Sequence, residues 1–277
     1  MFERVVGQAP AKALFTRALA GDNLSHAYLL AGPEGLGKAA FALDVGVALV
    51  TPCGGCGACA DCERAKRGAH PDLRSIEREG ERIRREQVEP VLADLALRPF
   101  SSLRRVWIIT EVEQLMPEAA NALLKSIEEP PAHVVFLLVT DRLERVLPTI
   151  VSRCQVVDFR PLADVEVEGY LGAEHGLGGE EGRALARLAR GSVERAARLA
   201  DDARGPRLRD EYLRHAARLS GASAALGGGE TSPAAAFLGV LERRLEAIRD
   251  AGSEELAHRL AEIEALFADE KDRAWHR

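Results

Sequence analysis

A glycine-rich turn with the spacing of a phosphate-binding loop lies near the start of the chain. Residues 32–38 read Gly-Pro-Glu-Gly-Leu-Gly-Lys, between a short apolar run and a helical pattern. In such a P-loop the backbone N–H groups converge on phosphate oxygens, and the lysine adds a positive charge beside the β- and γ-phosphates. Ala39 follows, at the position where a hydroxyl group normally ligates Mg²⁺. The residues predicted to bind phosphate are Gly32, Gly35, Gly37 and Lys38.

A second apolar run, at 106–109, is followed by Thr110 and Glu111. In a P-loop enzyme the first residue after this strand is normally acidic and orients Mg²⁺. The neutral hydroxyl of Thr110 cannot replace a carboxylate in holding a divalent cation. Both groups that position the metal are therefore missing, at 39 and 110, and we expect no ATP hydrolysis here. Glu111 remains as a residue that could polarise water.

Four of the five cysteines follow one another at a constant spacing of two intervening residues, at 53, 56, 59 and 62. Glycines between them let the chain fold around one ion, and a reducing compartment favours metal binding over disulfides. The pattern predicts a structural Cys₄ zinc site formed by Cys53, Cys56, Cys59 and Cys62. An iron–sulfur or redox centre is the competing interpretation, but no neighbouring pattern favours electron transfer.

The composition is that of a folded protein with more than one domain. The chain has 277 residues, 47% hydrophobic and 29% charged, with a net charge of −6. This excess of acidic residues argues against a protein whose whole surface attracts the phosphates of nucleic acid. The apolar runs are too short to span a membrane, and the N-terminus shows no apolar leader pattern. We therefore expect a cytoplasmic protein without membrane contact.

Strand-length apolar runs alternate with helical patterns up to about residue 161, which is typical of an α/β fold with a mostly parallel sheet and helices on both faces. The predicted strands are 27–30, 73–76, 106–110, 134–140 and 156–159. From 162 onward the patterns are helical, and Gly205-Pro206 separates a helical unit at 162–205 from another at 206–277. Apolar stripes in the last unit predict helices that begin near Ser232 and Ser253 and pack within the domain or in an oligomer.

Three further runs are specific enough to indicate a family. They are Asn-Ala-Leu-Leu-Lys-Ser-Ile-Glu-Glu-Pro-Pro at 121–131, Phe-Leu-Leu-Val-Thr at 136–140 and Leu-Pro-Thr-Ile-Val-Ser-Arg-Cys at 147–154. Together with Val6-Gly7-Gln8, the P-loop and the cysteines, they closely resemble the clamp-loader subunits of the AAA+ superfamily. The resemblance implies a RecA-like AAA+ domain at 1–161 with a zinc module inserted at about 53–62, a helical lid at 162–205 and a helical collar at 206–277.

The resemblance also implies a function in DNA replication. Within this family, a chain without both metal-positioning groups resembles the subunit that does not hydrolyse ATP. The alternative is the gamma/tau subunit, which is the ATP-hydrolysing motor. The resemblance implies that the non-hydrolysing subunit joins gamma/tau and delta subunits in a pentameric ring, which is part of the DNA polymerase III holoenzyme. This ring loads the sliding clamp onto primer-template DNA.

Individual roles follow from the same resemblance. Arg153 matches the arginine finger, which acts on the ATP of a neighbouring subunit, although an isolated arginine would more simply form a surface ion pair. Thr140 matches the nucleotide-sensing residue at the end of a buried strand, or caps that strand. The family's second sensor arginine falls at Glu194, and Arg195 is one residue late, a rotation of about 100° around the helix. Occupation of the P-loop by ATP or ADP is possible, and we expect neither nucleotide to be hydrolysed there.

The zinc module departs from the family pattern in one respect. Cys56, Cys59 and Cys62 match by their distance to the His-Pro-Asp run at 70–72, whereas Cys53 is displaced. His70 is therefore an alternative fourth ligand. Cys154, beside the predicted finger, is expected to be an unligated small hydrophobic residue.

Overall fold

A parallel sheet of five strands forms the centre of the part of the chain that the computed structural model describes, namely Phe2 and residues 5–21, 23–95 and 97–201. The strands are β1 (Ala27–Ala31), β2 (Leu73–Ile76), β3 (Arg105–Ile109), β4 (Val134–Thr140) and β5 (Gln155–Asp158). All five predicted strands are confirmed, each with ends within one residue of the expected positions. The short, β-branched and aliphatic runs account for this agreement, because such residues favour strands. Every residue of β1, β3 and β4 is buried, whereas the edge strands β2 and β5 are partly exposed.

The strand order is β2-β3-β4-β1-β5, so β1 lies between β4 and β5. Ala31, the last residue of β1, is paired with Thr140 of β4 and with Asp158 of β5. The carboxyl ends of these three strands therefore meet at one edge of the sheet. In open parallel sheets the loops at such a reversal of strand order form the ligand site.

Helices cover both faces of the sheet and continue beyond it. They are α1 (Ala9–Ala20), α2 (Lys38–Val50), α3 (Ala60–Lys66), α4 (Arg85–Leu95), α5 (Pro117–Glu128), α6 (Pro148–Val151), α7 (Asp164–His175), α8 (Gly179–Ala189) and α9 (Val193–Ala200). Helix α7 contacts both α8 and α9. No helix among the described residues is long and apolar enough to cross a membrane.

The sheet separates two hydrophobic clusters because side chains alternate along each strand. Tyr28 and Leu30 of β1 join Phe15, Phe41 and other residues on one face. On the other face, Ala27 and Leu29 pack with residues of β3, β4 and α5. The apolar side of α5 is buried there at Ala120, Leu123 and Ile127, whereas Leu124 is partly buried.

The chain divides into two compact units, Met1–Asp201 and Asp202–Arg277. The predicted collar at 206–277, with its expected helices near Ser232 and Ser253, lies outside the described residues. The proposed limits at 161 and 205 remain predictions.

A buried ion pair fixes the segment between α4 and β3. The Asp72 carboxylate is fully buried and lies 3.4 Å from Nη2 of Arg105. It also accepts hydrogen bonds from the backbone N–H groups of residues 100, 101 and 102, at 2.7, 2.8 and 3.1 Å. Arg105 in turn donates to the carbonyls of Asp94 and Arg98. Burial alone raises the pKa of Asp72, but these hydrogen bonds outweigh it and hold that pKa below its ordinary value.

We expect Asp72→Ala to lower the free energy of unfolding by about 3 kcal/mol, because it leaves the Arg105 guanidinium buried without its counter-charge. Urea denaturation measures this change. Glu89→Ala, which removes one partner of an exposed pair with Arg85, is the matched control and should change stability by less than about 0.5 kcal/mol. An unchanged urea midpoint for Asp72→Ala would contradict the assignment.

The lowered pKa also fixes the pH range of this contribution. It is fully present above the unfolded pKa of about 3.9 and is lost as the pH falls through the lower folded value. Hence the difference in stability between wild type and Asp72→Ala should shrink only in that acidic range.

Candidate functional site

The P-loop connects β1 to α2 at the edge where β1, β4 and β5 end. Glycine is required at two positions of this loop because neighbouring atoms leave no room for a Cβ. A Cβ on Gly32 would lie 2.2 Å from the carbonyl oxygen of Phe159, and a Cβ on Gly35 would lie 2.2 Å from Oγ of Ser192. Gly35 also has φ of +79°, in the left-handed region. The predicted phosphate-binding turn is therefore packed tightly against the chain that follows β5 and against the start of α9.

Lys38 is the first residue of α2, and its side chain is 3% exposed. Its ammonium group donates a hydrogen bond of 2.6 Å to the carbonyl of Pro33 and lies 2.7 Å from Oδ1 of Asp141. A buried ammonium needs such a counter-charge. Asp141, the residue immediately after β4, is thus part of the site although the sequence patterns did not indicate it.

Thr140 ends β4 and is 1% exposed. Its hydroxyl donates to Oε2 of Glu113 at 2.7 Å and accepts from the backbone N–H of Arg142 at 3.1 Å. Glu113 also accepts, through Oε1, from the N–H of Asp141 at 3.4 Å. This geometry is that of a polar strand end held by a carboxylate. Sequence reasoning missed Glu113, whose one signal is its place two residues beyond Glu111.

The two residues that follow β3, Thr110 and Glu111, both have hydrogen-bond partners within the chain. The Thr110 hydroxyl donates to the carbonyl of Ile76 at 3.4 Å, and its N–H donates to the same oxygen at 3.1 Å. Glu111 has φ of +51°, and its Oε2 accepts a 2.7 Å bond from Nε of Arg78. Thr110 therefore bonds to the backbone at the end of β2, and the Glu111 carboxylate is paired with an arginine.

The beginning of α9 rests on the P-loop. Ser192 caps α9 by accepting from the N–H of Arg195, and its hydroxyl donates to the carbonyl of Gly35 at 3.0 Å. The N–H of Glu194 reaches the same carbonyl at 3.3 Å. The Glu194 carboxylate lies 3.7 Å from Nη2 of Arg198. The structure thus brings the predicted second-sensor segment to the P-loop, with a glutamate at its key position.

Arg153 lies just after α6, and its side chain is 32% exposed. Nη2 donates to Oε1 of Glu128 at 2.8 Å, and Nη1 donates to the carbonyl of Thr149 at 3.0 Å. The guanidinium is therefore at the surface but held by a carboxylate at the end of α5. Cys154 beside it is partly buried, and burial raises the pKa of its thiol to about 12, which makes it an inert thiol.

The sulfur atoms of Cys53, Cys56, Cys59 and Cys62 all lie within 4.8 Å of one another. Cys53 is 3.3 Å from Cys62 and 3.5 Å from Cys59, and Cys56 is 3.9 Å from Cys62. A tetrahedral site with zinc–sulfur bonds of about 2.3 Å would separate its sulfurs by about 3.8 Å. The donor set therefore fits a zinc ion. Hydrogen bonds, the strongest from the N–H of Cys56, lower the pKa of Cys53 to about 5, which favours the thiolate that a metal binds. A hydrogen bond from the N–H of Cys62 lowers the pKa of Cys59, but the neighbouring cysteine thiols outweigh it and raise that pKa to about 11, so the negative charge of the cluster lies first on Cys53.

His70 does not join the cysteine sulfurs. Its Nδ1 accepts a 3.2 Å bond from the N–H of Asp72, and the side chain is buried. Burial lowers the pKa of His70 and keeps the imidazole neutral. Among the described residues the group that could hold a metal consists of the four cysteines. The displaced Cys53 thus lies with the three cysteines that match the family spacing.

Comparisons with known proteins bear on both the fold and the site. Residues 7–163 match the family described as "DNA polymerase III, delta subunit". The delta' subunit of DNA polymerase III from Bacillus subtilis is 34% identical over 161 residues, 57% of this chain and 49% of that protein. The tau subunit of DNA polymerase III from Salmonella typhimurium is 33% identical over 295 residues, 97% of this chain and 42% of that protein. The chain thus spans half or less of the length of these relatives.

Among solved structures, the RuvB Holliday junction branch migration motor of Thermotoga maritima has a similar fold. It aligns with 84% of this chain and 82% of its own, with a TM-score of 0.51 and 18% identity. This likeness confirms the predicted RecA-like α/β fold class and carries no statement about activity.

The geometry of the cysteines predicts one zinc ion per chain, with Cys53 rather than His70 as the fourth ligand. Cys53→Ser should lower zinc affinity at least about tenfold because it removes one of four ligands, whereas His70→Asn and Cys154→Ser should bind zinc as the wild type does. Elemental analysis after gel filtration gives the stoichiometry, and competition with a coloured chelator gives the affinity. Loss of zinc in His70→Asn with retention in Cys53→Ser would reverse the assignment.

Proposed function

The chain belongs to the DNA polymerase III delta-subunit family of clamp-loader AAA+ proteins, and from this premise we propose that it is a delta-prime subunit. A subunit of this kind does not hydrolyse ATP itself. It completes the ATP site of a neighbouring subunit with an arginine. In this proposal it occupies a pentameric ring with gamma/tau and delta subunits, and the ring loads the sliding clamp onto primer-template DNA.

The observation that carries the proposal is the chemistry of the metal-positioning sites. Ala39 has no ligand atom in its side chain, and the Thr110 hydroxyl is bonded to the carbonyl of Ile76. Mg²⁺ prefers several oxygen ligands in near-octahedral geometry and neutralises charge that develops during phosphoryl transfer. With both groups lost, the P-loop retains its shape and its lysine but lacks the means to hold the metal for hydrolysis.

The partial exposure of Arg153 supports its role as a finger. Its pair with Glu128 joins two side chains that are 32% and 51% exposed, and such pairs contribute about 0–1 kcal/mol. A neighbouring subunit's phosphates could therefore replace Glu128 at little cost. The planar guanidinium then stabilises charge on the phosphoryl oxygens during transfer.

A gamma/tau-like motor is the second candidate, and the similarity to a tau subunit across 97% of the chain favours it. That motor would need Mg²⁺ held at its own P-loop. Ala39 and Thr110 weigh against this, because two independent changes affect the same metal ion.

Zinc has a structural role in this proposal. The four cysteines would supply all four ligands, so the site has no open position for catalysis. Bound zinc would join the loop after α2 to α3, since Cys53 and Cys56 lie in that loop and Cys62 lies within α3.

The arginine role is tested in a ring reconstituted with gamma/tau and delta subunits, a sliding clamp and primed DNA. Rapid-quench measurement of ATP hydrolysis counts the sites that fire in the first turnover. Arg153→Ala should remove one site from the fast phase, because loss of an arginine finger slows transfer about 10³-fold or more. Clamp loading should slow as well.

Two variants control for structure. Arg160→Ala removes another exposed arginine, whose partner is Asp158, and should leave the fast phase intact. Glu128→Gln frees the finger without removing it and should also retain the full amplitude. A full fast phase with Arg153→Ala, in rings that assemble normally, would refute the assignment.

A further inference from the structure

We propose that Asp141 is an internal anion of the P-loop, which holds Lys38 in place of a phosphate and so suppresses nucleotide binding by this chain. The inference deepens the proposed function and rests on it in taking the P-loop as a former nucleotide site. It identifies a residue that sets the occupancy of that site.

The ammonium group of Lys38 is already paired within the chain. In a nucleotide-bound P-loop this ammonium lies beside the β- and γ-phosphates. Here it is 3% exposed and is bonded to the Pro33 carbonyl and the Asp141 carboxylate, at 2.6 and 2.7 Å. Its charge is therefore already balanced within the chain. The Asp141 side chain is 33% exposed, so an incoming phosphate must either displace this carboxylate from Lys38 or lie close to its negative charge. In both cases the phosphate competes with an anion that the chain already supplies.

The sheet fixes Asp141 at this position. Ala31 is paired with Thr140, so the next residues, Gly32 at the start of the P-loop and Asp141, leave the sheet at the same level. The N–H of Asp141 donates to Glu113, and Glu113 also accepts from the Thr140 hydroxyl. Because backbone pairing and Glu113 both hold this strand end, Asp141 is presented to Lys38 by a rigid element. Glu113 also brings a second carboxylate to the same strand end.

The other side of the loop is held as well. The Gly35 carbonyl accepts from the Ser192 hydroxyl and from the N–H of Glu194, and Ser192 is 6% exposed. The turn thus keeps its conformation through bonds within the chain. These bonds agree with a loop that serves as a packing element between β1 and α9.

A different role for Asp141 makes the opposite prediction. If its carboxylate replaced the missing residue at 110 as a ligand for Mg²⁺, its removal would weaken the binding of magnesium nucleotide. The two roles are therefore separated by the sign of the effect and by its dependence on Mg²⁺.

The test is a titration of the 277-residue chain alone with a fluorescent ADP, with and without Mg²⁺. Asp141→Asn keeps the size of the side chain and removes its charge, and it should bind ADP at least about tenfold more tightly in the absence of Mg²⁺. Asp141→Ser is a second variant that should show the same gain. Asp158→Asn, at the end of neighbouring β5, is the matched control and should bind as the wild type does.

Adding Lys38→Ala to Asp141→Asn should cancel the gain, since the released ammonium is what binds the phosphate. Urea unfolding establishes that each variant is folded. An ADP affinity that is unchanged in both folded Asp141 variants would overturn the proposal. If the variants instead bind ADP more weakly than the wild type, and only when Mg²⁺ is present, Asp141 is a ligand of the metal and the proposal is also wrong. The titration contains no partner subunit, so its failure leaves the Arg153 result in the ring unaffected.

Discussion

The position of β1 between β4 and β5 is the constraint on which the rest of the site depends. Parallel pairing of Ala31 with Thr140 and Asp158 brings together segments that are more than 100 residues apart in the chain. The P-loop must then begin beside Asp141 and against Phe159, because all of these residues leave the sheet at one edge. Burial of every residue of β1 and β4 makes this register costly to change.

Under the proposed function, this strand order explains how the P-loop keeps its shape without side chains that hold Mg²⁺ at positions 39 and 110. The glycines remain because backbone and Ser192 approach them too closely for a Cβ. Lys38 remains with a carboxylate partner, which a buried ammonium requires. Positions 39 and 110 lie outside these contacts, because Ala39 is exposed and the Thr110 hydroxyl is bonded to the carbonyl of Ile76. Arg153 lies at the surface, where a guanidinium can contact another protein.

Features with a local signal were predictable from the sequence. The strands followed from short apolar runs, and the cysteine cluster followed from its regular intervals. The partners of buried charges were not predictable. Asp72 with Arg105, and Lys38 with Asp141, are joined by the strand order, which a single sequence does not specify. The roles of Glu113 and Ser192 were not predictable for the same reason. Each forms a hydrogen bond with a residue that the sheet or the position of α9 brings near.

The central claim is that this P-loop is a packing element rather than a motor, while the chain's arginine serves a neighbour. The most direct test is ATP turnover by the purified chain alone at saturating Mg²⁺-ATP, compared with Lys38→Ala prepared in the same way. The account predicts that both preparations release phosphate at the same background rate. Turnover by the wild type that Lys38→Ala abolishes would contradict it and would assign the chain to the ATP-hydrolysing subunits.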